Sequence, residues 1–165
     1  MFFRRFACPF CRLDAVHLSE IKSDLDAASV RLVGIGHEEV GLREFLDGKF
    51  FKGELFIDND KNTYKALGFK RYNWLSIFPA ILTGASRAKA AAAKQAGVGG
   101  DMTTGDGMQT GGTLIVQKGK ASEIREIRLP KSWHAGGAEV LLNYKQDSPD
   151  AYVGNDVILK ALGLK

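Results

Sequence analysis

The chain has 165 residues, of which 45% are hydrophobic and 25% charged, an ordinary globular balance large enough to fold without a disulfide or a metal. Its two cysteines, Cys8 and Cys11, are too few for a disulfide scaffold, and no paired set of four Cys or His ligands offers a structural zinc site. The net charge of +4 is too small to argue for nucleic acid, and the excess is local: residues 61–100 hold Lys61, Lys65, Lys70, Arg71, Arg87, Lys89 and Lys94 and no acid.

Met1–Phe6, rich in Phe, reads as a short strand. Behind it Leu18, Ile21, Leu25 and Ala28 recur at helical spacing and predict a helix over roughly 9–28. Val30–Ile35 reads as a buried strand, and HEEVGLREFL (37–46) as a second helix after the turn at Gly34 and Gly36. Glu54–Ile57 is a short strand candidate. Asp58–Gly68 predicts a helix with Asp58, Asn59 or Asp60 as cap and Gly68 as stop. Ser86–Ala96 is a strong helix former, and the glycine-rich stretch 98–112 must be a loop. Thr113–Gln117, the surroundings of Ile124, Ile127 and Leu129, and Val140–Tyr144 read as strands, and Asn155–Leu162 as a closing helix. The strand–helix alternation favours an α/β fold, and with no repeat or linker one domain over 1–165 is expected.

The most specific feature is Cys8-Pro9-Phe10-Cys11, at the passage from strand to helix. Free N–H groups and partial positive charge at a helix start stabilise a thiolate. Two sulfurs at this spacing can close a disulfide, so one attacks and the other resolves. Arg4, Arg5 and Arg12 add three cations before the first acid, Asp14; the thiolate-stabilising role is assigned to Arg5 and Arg12. A half zinc site or two buried thiols is the competing reading. His17, His37 and His134 are scattered, and no metal is expected.

The blocks FRRFACPFCR, VRLVGIGHEEVGLREFLDGKFFKGELFID, YKALGFKRYNWLSI, GGDMTTGDGMQTGGTLIVQKG and YKQDSPDAYVGNDVILKALGL together resemble the peroxiredoxin-like 2 family. The resemblance implies a thioredoxin-like fold, with a central mixed sheet flanked by helices. It also implies a thiol oxidoreductase that reduces lipid peroxides and endoperoxides, in prostaglandin F-type synthesis, or disulfides. By the same resemblance Cys8 and Cys11 are the redox pair. No bound cofactor is implied, and electrons come from an external thioredoxin, thiol or NADPH-linked reductant. Pro9, Phe10, Gly111, Gly112 and Thr113 are the candidate substrate-binding residues; Gly111-Gly112 stand where a thioredoxin-type cis-proline is expected, and glycine permits close approach to the sulfur. A peroxiredoxin carries threonine three residues before its peroxidatic cysteine, and here that position is Arg5.

Two further departures shape the expectation. Only seven residues precede Cys8, so the fold is N-terminally short, and a homodimer would cover the exposed edge. Residues 120–139 look like an insertion in the terminal hairpin, with Trp133 and His134 as a contact surface or an ordinary loop. No convincing leader and no stretch of about 20 apolar residues is present, so a cytoplasmic chain outside the membrane is expected. Trp74, Leu75, Ile77, Phe78, Ile81 and Leu82 read as core, or as an apolar wall for a fatty substrate whose carboxylate meets Lys70, Arg71 and Arg87. The rival to an enzyme is a thioredoxin-like binding module using the basic face 61–100 or the 120–139 insertion.

Overall fold

In the computed structural model, which describes residues 1–73, 82–117 and 139–164, the N-terminal segment joins two strand pairs into one mixed sheet. Strand β1 (Val33–Gly36) runs parallel to β2 (Glu54–Ile57), with Val33 opposite Glu54 and Gly36 opposite Ile57. Strand β3 (Gly112–Val116) runs antiparallel to β4 (Val140–Lys145), with Gly112 opposite Lys145. Phe2 lies between the pairs, bridged in parallel to Ile35 and antiparallel to Gly112. Its N–H donates to Gly112 O and the Phe3 N–H to Ile35 O, each at 2.8 Å. The order across the sheet is therefore β2, β1, residues 1–3, β3, β4. The strand expected over Met1–Phe6 is regular only around Phe2, because the chain bends after Phe3 to reach the helix at Pro9.

The helix expected over 9–28 is divided into α1 (Pro9–Glu20) and α2 (Lys22–Ala27) at Ile21. Just before the break, the Ser19 hydroxyl donates to Ala15 O at 2.7 Å and accepts from Lys52 N at 3.0 Å, a back-bond of the kind that bends helices. The second helix is shorter than its acidic start predicts: α3 covers Leu42–Asp47. Gly41 stands before it at φ +76°, a left-handed turn, and a Cβ there would lie 2.6 Å from Ala7 N. In α4 (Asn62–Ala66) the expected cap is present, with the Asp58 carboxylate accepting from Asn62 N and Thr63 N. Gly68, at φ +67°, ends that turn. Helix α5 (Gly84–Gln95) is capped by Thr83, whose hydroxyl oxygen accepts from Ser86 N at 3.0 Å, and α6 (Asn155–Ala161) closes the fold.

The two largest apolar clusters both draw on α1. Leu18, Ile21, Leu25, Leu32, Ile115, Val153, Ile158 and Leu159 form one. Phe3, Phe6, Phe10, Ala15 and Phe45 form the other, which also contains Cys8 and Cys11. Ring centroids in that cluster stand 5.6 Å apart for Phe3–Phe6 and 4.9 Å for Phe6–Phe45. No helix among the described residues is long and apolar enough to cross a membrane. The stretch from Trp74 to Ile81, the strands expected around Ile124, Ile127 and Leu129, and the 120–139 insertion apart from Glu139 lie outside the described residues.

Candidate active site

Cys8 occupies the residue before α1, in extended backbone at φ −72° and ψ 125°, and Pro9 opens the helix. Proline suits that first position because its missing N–H has no partner there anyway. Cys11 sits within the first turn, so both sulfurs face the same aromatic cluster. Cys8 is 0% and Cys11 3% exposed, and both are free thiols. The pair is electronically asymmetric. The Cys11 thiol donates to Cys8, and the Arg4 guanidinium adds its charge; together they hold Cys8 well below the usual thiol range against the opposing effect of burial. The same hydrogen bond, with burial and the negative charge of Cys8, pushes Cys11 well above it. The two shifts favour ionisation at Cys8 over ionisation at Cys11.

Arg4 is the guanidinium that reaches Cys8, with Nη2 3.9 Å from Cys8 Sγ. The two arginines assigned that task by sequence are placed differently. Arg12 donates from Nε to Phe6 O at 2.7 Å and from Nη1 to Gly99 O at 2.9 Å. Arg5 donates to Met102 O at 2.7 Å and Thr104 O at 3.1 Å, and gives Cys8 a smaller electrostatic contribution than Arg4 does. Both spend their N–H groups mainly on backbone carbonyls. Nothing in the RR pair told the two residues apart; the bend after Phe3 turns Arg4 inward.

Three of those carbonyls, on Gly99, Met102 and Thr104, belong to the glycine-rich loop, which folds over the cysteines. Asp101 N donates to Ala7 O at 2.8 Å, and the Met102 sulfur lies 3.7 Å from Cys8 Sγ. Further along, Asp106 pairs with Lys61 at 2.7 Å and Arg71 at 2.6 Å, and its N–H donates to the Glu38 carboxylate. Arg71 and Lys61 hold Asp106 well below the usual carboxylate range against burial. The loop is thus clamped at both ends by charge.

The remaining candidate residues divide. Pro9 lies between the sulfurs at the helix start, half-buried, while Phe10 is 4% exposed and belongs to the core. Gly111 and Gly112 do bring backbone close, but to the chain itself. A Cβ on Gly111 would lie 2.3 Å from Phe2 O, and one on Gly112 2.1 Å from Tyr144 O. Thr113 is buried opposite Tyr144 in the sheet. Among the described residues, no hydrogen bond links Gly111, Gly112 or Thr113 to either sulfur, and no group of His, Cys, Asp and Glu is placed to hold a metal ion.

Sequence reading passed over three further groups. Asp14, one turn beyond Cys11, is buried and pairs with Lys89 of α5 at 2.6 Å. Burial pushes Asp14 up to about 7, with Lys89 opposing. Lys89 also lies 5.7 Å from the Phe10 ring centroid and 5.8 Å from that of Tyr152. The third is Tyr72, whose hydroxyl is buried beside the charge of Arg4. Each joins segments far apart in sequence, and no local motif signals such a pairing. Lys61, Arg71 and Lys89 thus neutralise internal acids, so part of the basic segment is not a free surface.

Residues 17–127 match the AhpC/TSA antioxidant enzyme family, a region that begins beyond both cysteines. The chain is 46% identical over 163 residues to the prostamide/prostaglandin F synthase of Aquarana catesbeiana, covering 99% of this chain and 72% of that one. It is 47% identical over 161 residues to the human protein of the same name, covering 98% and 72%, and 47% identical to the Bos taurus protein, covering 98% and 71%. No solved structure matches. A mixed sheet flanked by helices, the family match over more than half the chain and the near-complete alignments together show that the chain belongs to the AhpC/TSA family, in its peroxiredoxin-like group of thioredoxin-fold oxidoreductases.

Proposed function

We propose that the chain reduces lipid peroxides or endoperoxides with Cys8 as nucleophile and Cys11 as resolving thiol. The observation that carries this is the asymmetry of the pair: a depressed Cys8 beside Arg4, and a raised Cys11 donating to it. The relatives' names supply the substrate class, prostamide and prostaglandin F precursors. The surroundings suit it, since Phe6, Phe10 and Met102 line the sulfurs with apolar surface.

With a hydroperoxide, Cys8 sulfur bonds one oxygen, the O–O bond breaks, and the other oxygen leaves as an alcohol. Cys11 then attacks the Cys8 sulfenic acid, forming the disulfide and water. With a cyclic endoperoxide both oxygens stay on carbon. Attack gives a sulfenate ester and one alkoxide, and Cys11 displaces the second alkoxide to leave a diol and the disulfide. Each route takes two electrons from the thiol pair. A thioredoxin-type, thiol or NADPH-linked reductant restores the dithiol, as a reducing, cytoplasmic setting allows. We read residues 1–165 as one domain. Because Cys8 is 0% exposed, the loop from Gly99 to Gln109 must move for substrate to enter.

Thiol titration before and after equimolar alkyl hydroperoxide tests the proposal. Wild type is expected to lose both thiols and regain them with thioredoxin or dithiothreitol. Cys8→Ser is expected to lose none, and Cys11→Ser to stop at a Cys8 sulfenic acid. Full turnover by Cys8→Ser sinks the assignment. Insulin reduction, run in parallel, separates lipid-peroxide from protein-disulfide chemistry.

A further inference from the structure

Three buried hydrogen-bond donors have no partner among the described residues: Arg4 Nε, Arg4 Nη1 and the Tyr72 hydroxyl. Arg4 itself is 1% exposed and directs its remaining nitrogen, Nη2, towards Cys8. Tyr72 and Arg4 act on one another electrostatically, which couples the phenol to the guanidinium that faces Cys8. The backbone beneath the Tyr72 ring is tied to the covering loop. Tyr72 N donates to Met108 O at 2.7 Å, and Arg71 is bridged to Gln109. Two kinds of donor are thus held in one electrostatic group, a fixed cation beside the Cys8 sulfur and a transferable proton on the phenol coupled to that cation. Developing negative charge on oxygen is what such a group stabilises.

We propose that Tyr72 is a catalytic residue, its hydroxyl giving its proton to the oxygen that departs when the O–O bond breaks, while Arg4 Nε and Nη1 bind that oxygen. The role rests on the peroxide-reducing reading above. The Cys8 sulfur–oxygen bond forms, the O–O bond breaks with its electron pair on the departing oxygen, and the Tyr72 proton moves to that oxygen. The products are an alcohol and a Tyr72 phenolate facing the Arg4 cation. A solvent proton, matching the one Cys8 released on ionising, restores the phenol. The Cys11 proton goes to the second leaving oxygen when the disulfide closes. Burial pushes the Tyr72 phenol up to about 12, with Arg4 opposing and Asp147, Asp150 and Tyr144 adding to the rise. A phenol in that range is still a stronger acid than an alcohol, so the transfer runs downhill.

The test compares full-length wild type and Tyr72→Phe with two probes. tert-Butyl hydroperoxide expels an alkoxide, which needs a proton; peracetic acid expels acetate, which does not. Oxidation of Cys8 by the alkyl hydroperoxide is expected to slow about 100-fold in Tyr72→Phe. Oxidation by peracetic acid and alkylation by iodoacetamide are expected to stay at wild-type rates. Equal slowing with both peroxides, or none with either, overturns the role of Tyr72. Should Tyr72→Phe not fold, wild type alone decides. A solvent deuterium isotope effect larger for the alkyl hydroperoxide supports the role, and equal effects overturn it. Wild-type thiols left unoxidised by both probes overturn the peroxide-reducing reading and the role of Tyr72 with it, whereas loss of the variant effect alone overturns only the latter.

Discussion

The Arg4 guanidinium stands 3.9 Å from the Cys8 sulfur in a core where Arg4 is 1% exposed. A buried cation is costly unless an opposite charge lies near it, and the Cys8 thiolate is that charge. Each member therefore holds the other ionised. Arg4→Met is expected to move the Cys8 pKa upward, so that alkylation near neutral pH slows and recovers only at higher pH. Cys8 ionises more readily folded than unfolded. It adds stability above the unfolded thiol range, and this is lost as pH falls through its lowered folded value. Arg4→Met is expected to flatten that dependence, and Arg4→Lys to restore part of it. An alkylation midpoint unmoved by Arg4→Met would show that the thiolate is stabilised by Cys11 and the helix alone.

Much of this arrangement was legible in the sequence because it is local. The CPFC motif, the Asp58 cap, the Gly68 stop and the alanine-rich α5 each depend on neighbours within a few residues. What was not legible depends on chain crossing. Arg4, Arg5 and Arg12 are chemically alike in sequence, and only the bend after Phe3 and the path of the loop at 99–104 decide which one meets sulfur. The Gly111–Gly112 pair was read for substrate approach, yet its near neighbours are Phe2 O and Tyr144 O, contacts set by sheet pairing. The Asp14–Lys89 pair spans α1 and α5, beyond the reach of any periodicity argument.

Gly112 provides a separable test of that sheet contact. A Cβ there would lie 2.1 Å from Tyr144 O and 2.7 Å from the Phe69 ring, and a backbone oxygen in a paired strand has little room to retreat. Gly112→Ala is expected to destabilise the fold by about 1–3 kcal/mol, the usual cost of overpacking a filled core. Urea unfolding measures this. The folded fraction is expected to keep wild-type Cys8 alkylation kinetics. A stable variant with altered peroxide preference would return the glycine to the substrate side.

The Asp14–Lys89 pair has a pH signature with a definite sign. Asp14 is pushed up to about 7 in the fold, whereas an unfolded aspartate titrates near about 4. Between those values the folded chain retains a proton that the unfolded chain has released. Stability contributed by Asp14 is therefore full below the unfolded value and falls as pH rises towards 7. Asp14→Asn is expected to remove that slope. Lys89→Met leaves the carboxylate without its cation, a loss of about 3–5 kcal/mol for a buried pair. That loss is expected at pH 8, where Asp14 is charged, and is expected to be much smaller at pH 5, where Asp14 holds its proton. Equal losses at both pH values would mean that Lys89 acts by packing on Phe10 and Tyr152 alone.

Met102 decides how closed the nucleophile is. Its sulfur lies 3.7 Å from Cys8 Sγ, while its backbone oxygen is held by Arg5 at 2.7 Å. The side chain and the anchor are thus separable: shortening the side chain uncovers the sulfur without releasing the loop. Met102→Ala is expected to speed alkylation of Cys8 by a bulky maleimide more than by iodoacetamide, because the larger reagent gains more from the added room. The Cys8 pKa is expected to stay low, since Cys11 and Arg4 remain in place. Arg5→Met is expected to act differently, accelerating both reagents, because it frees the Met102 and Thr104 carbonyls and with them the backbone of the loop. If Met102→Ala leaves both alkylation rates unchanged while Arg5→Met raises them, the barrier to the sulfur is the loop backbone, and the thioether only fills space above it.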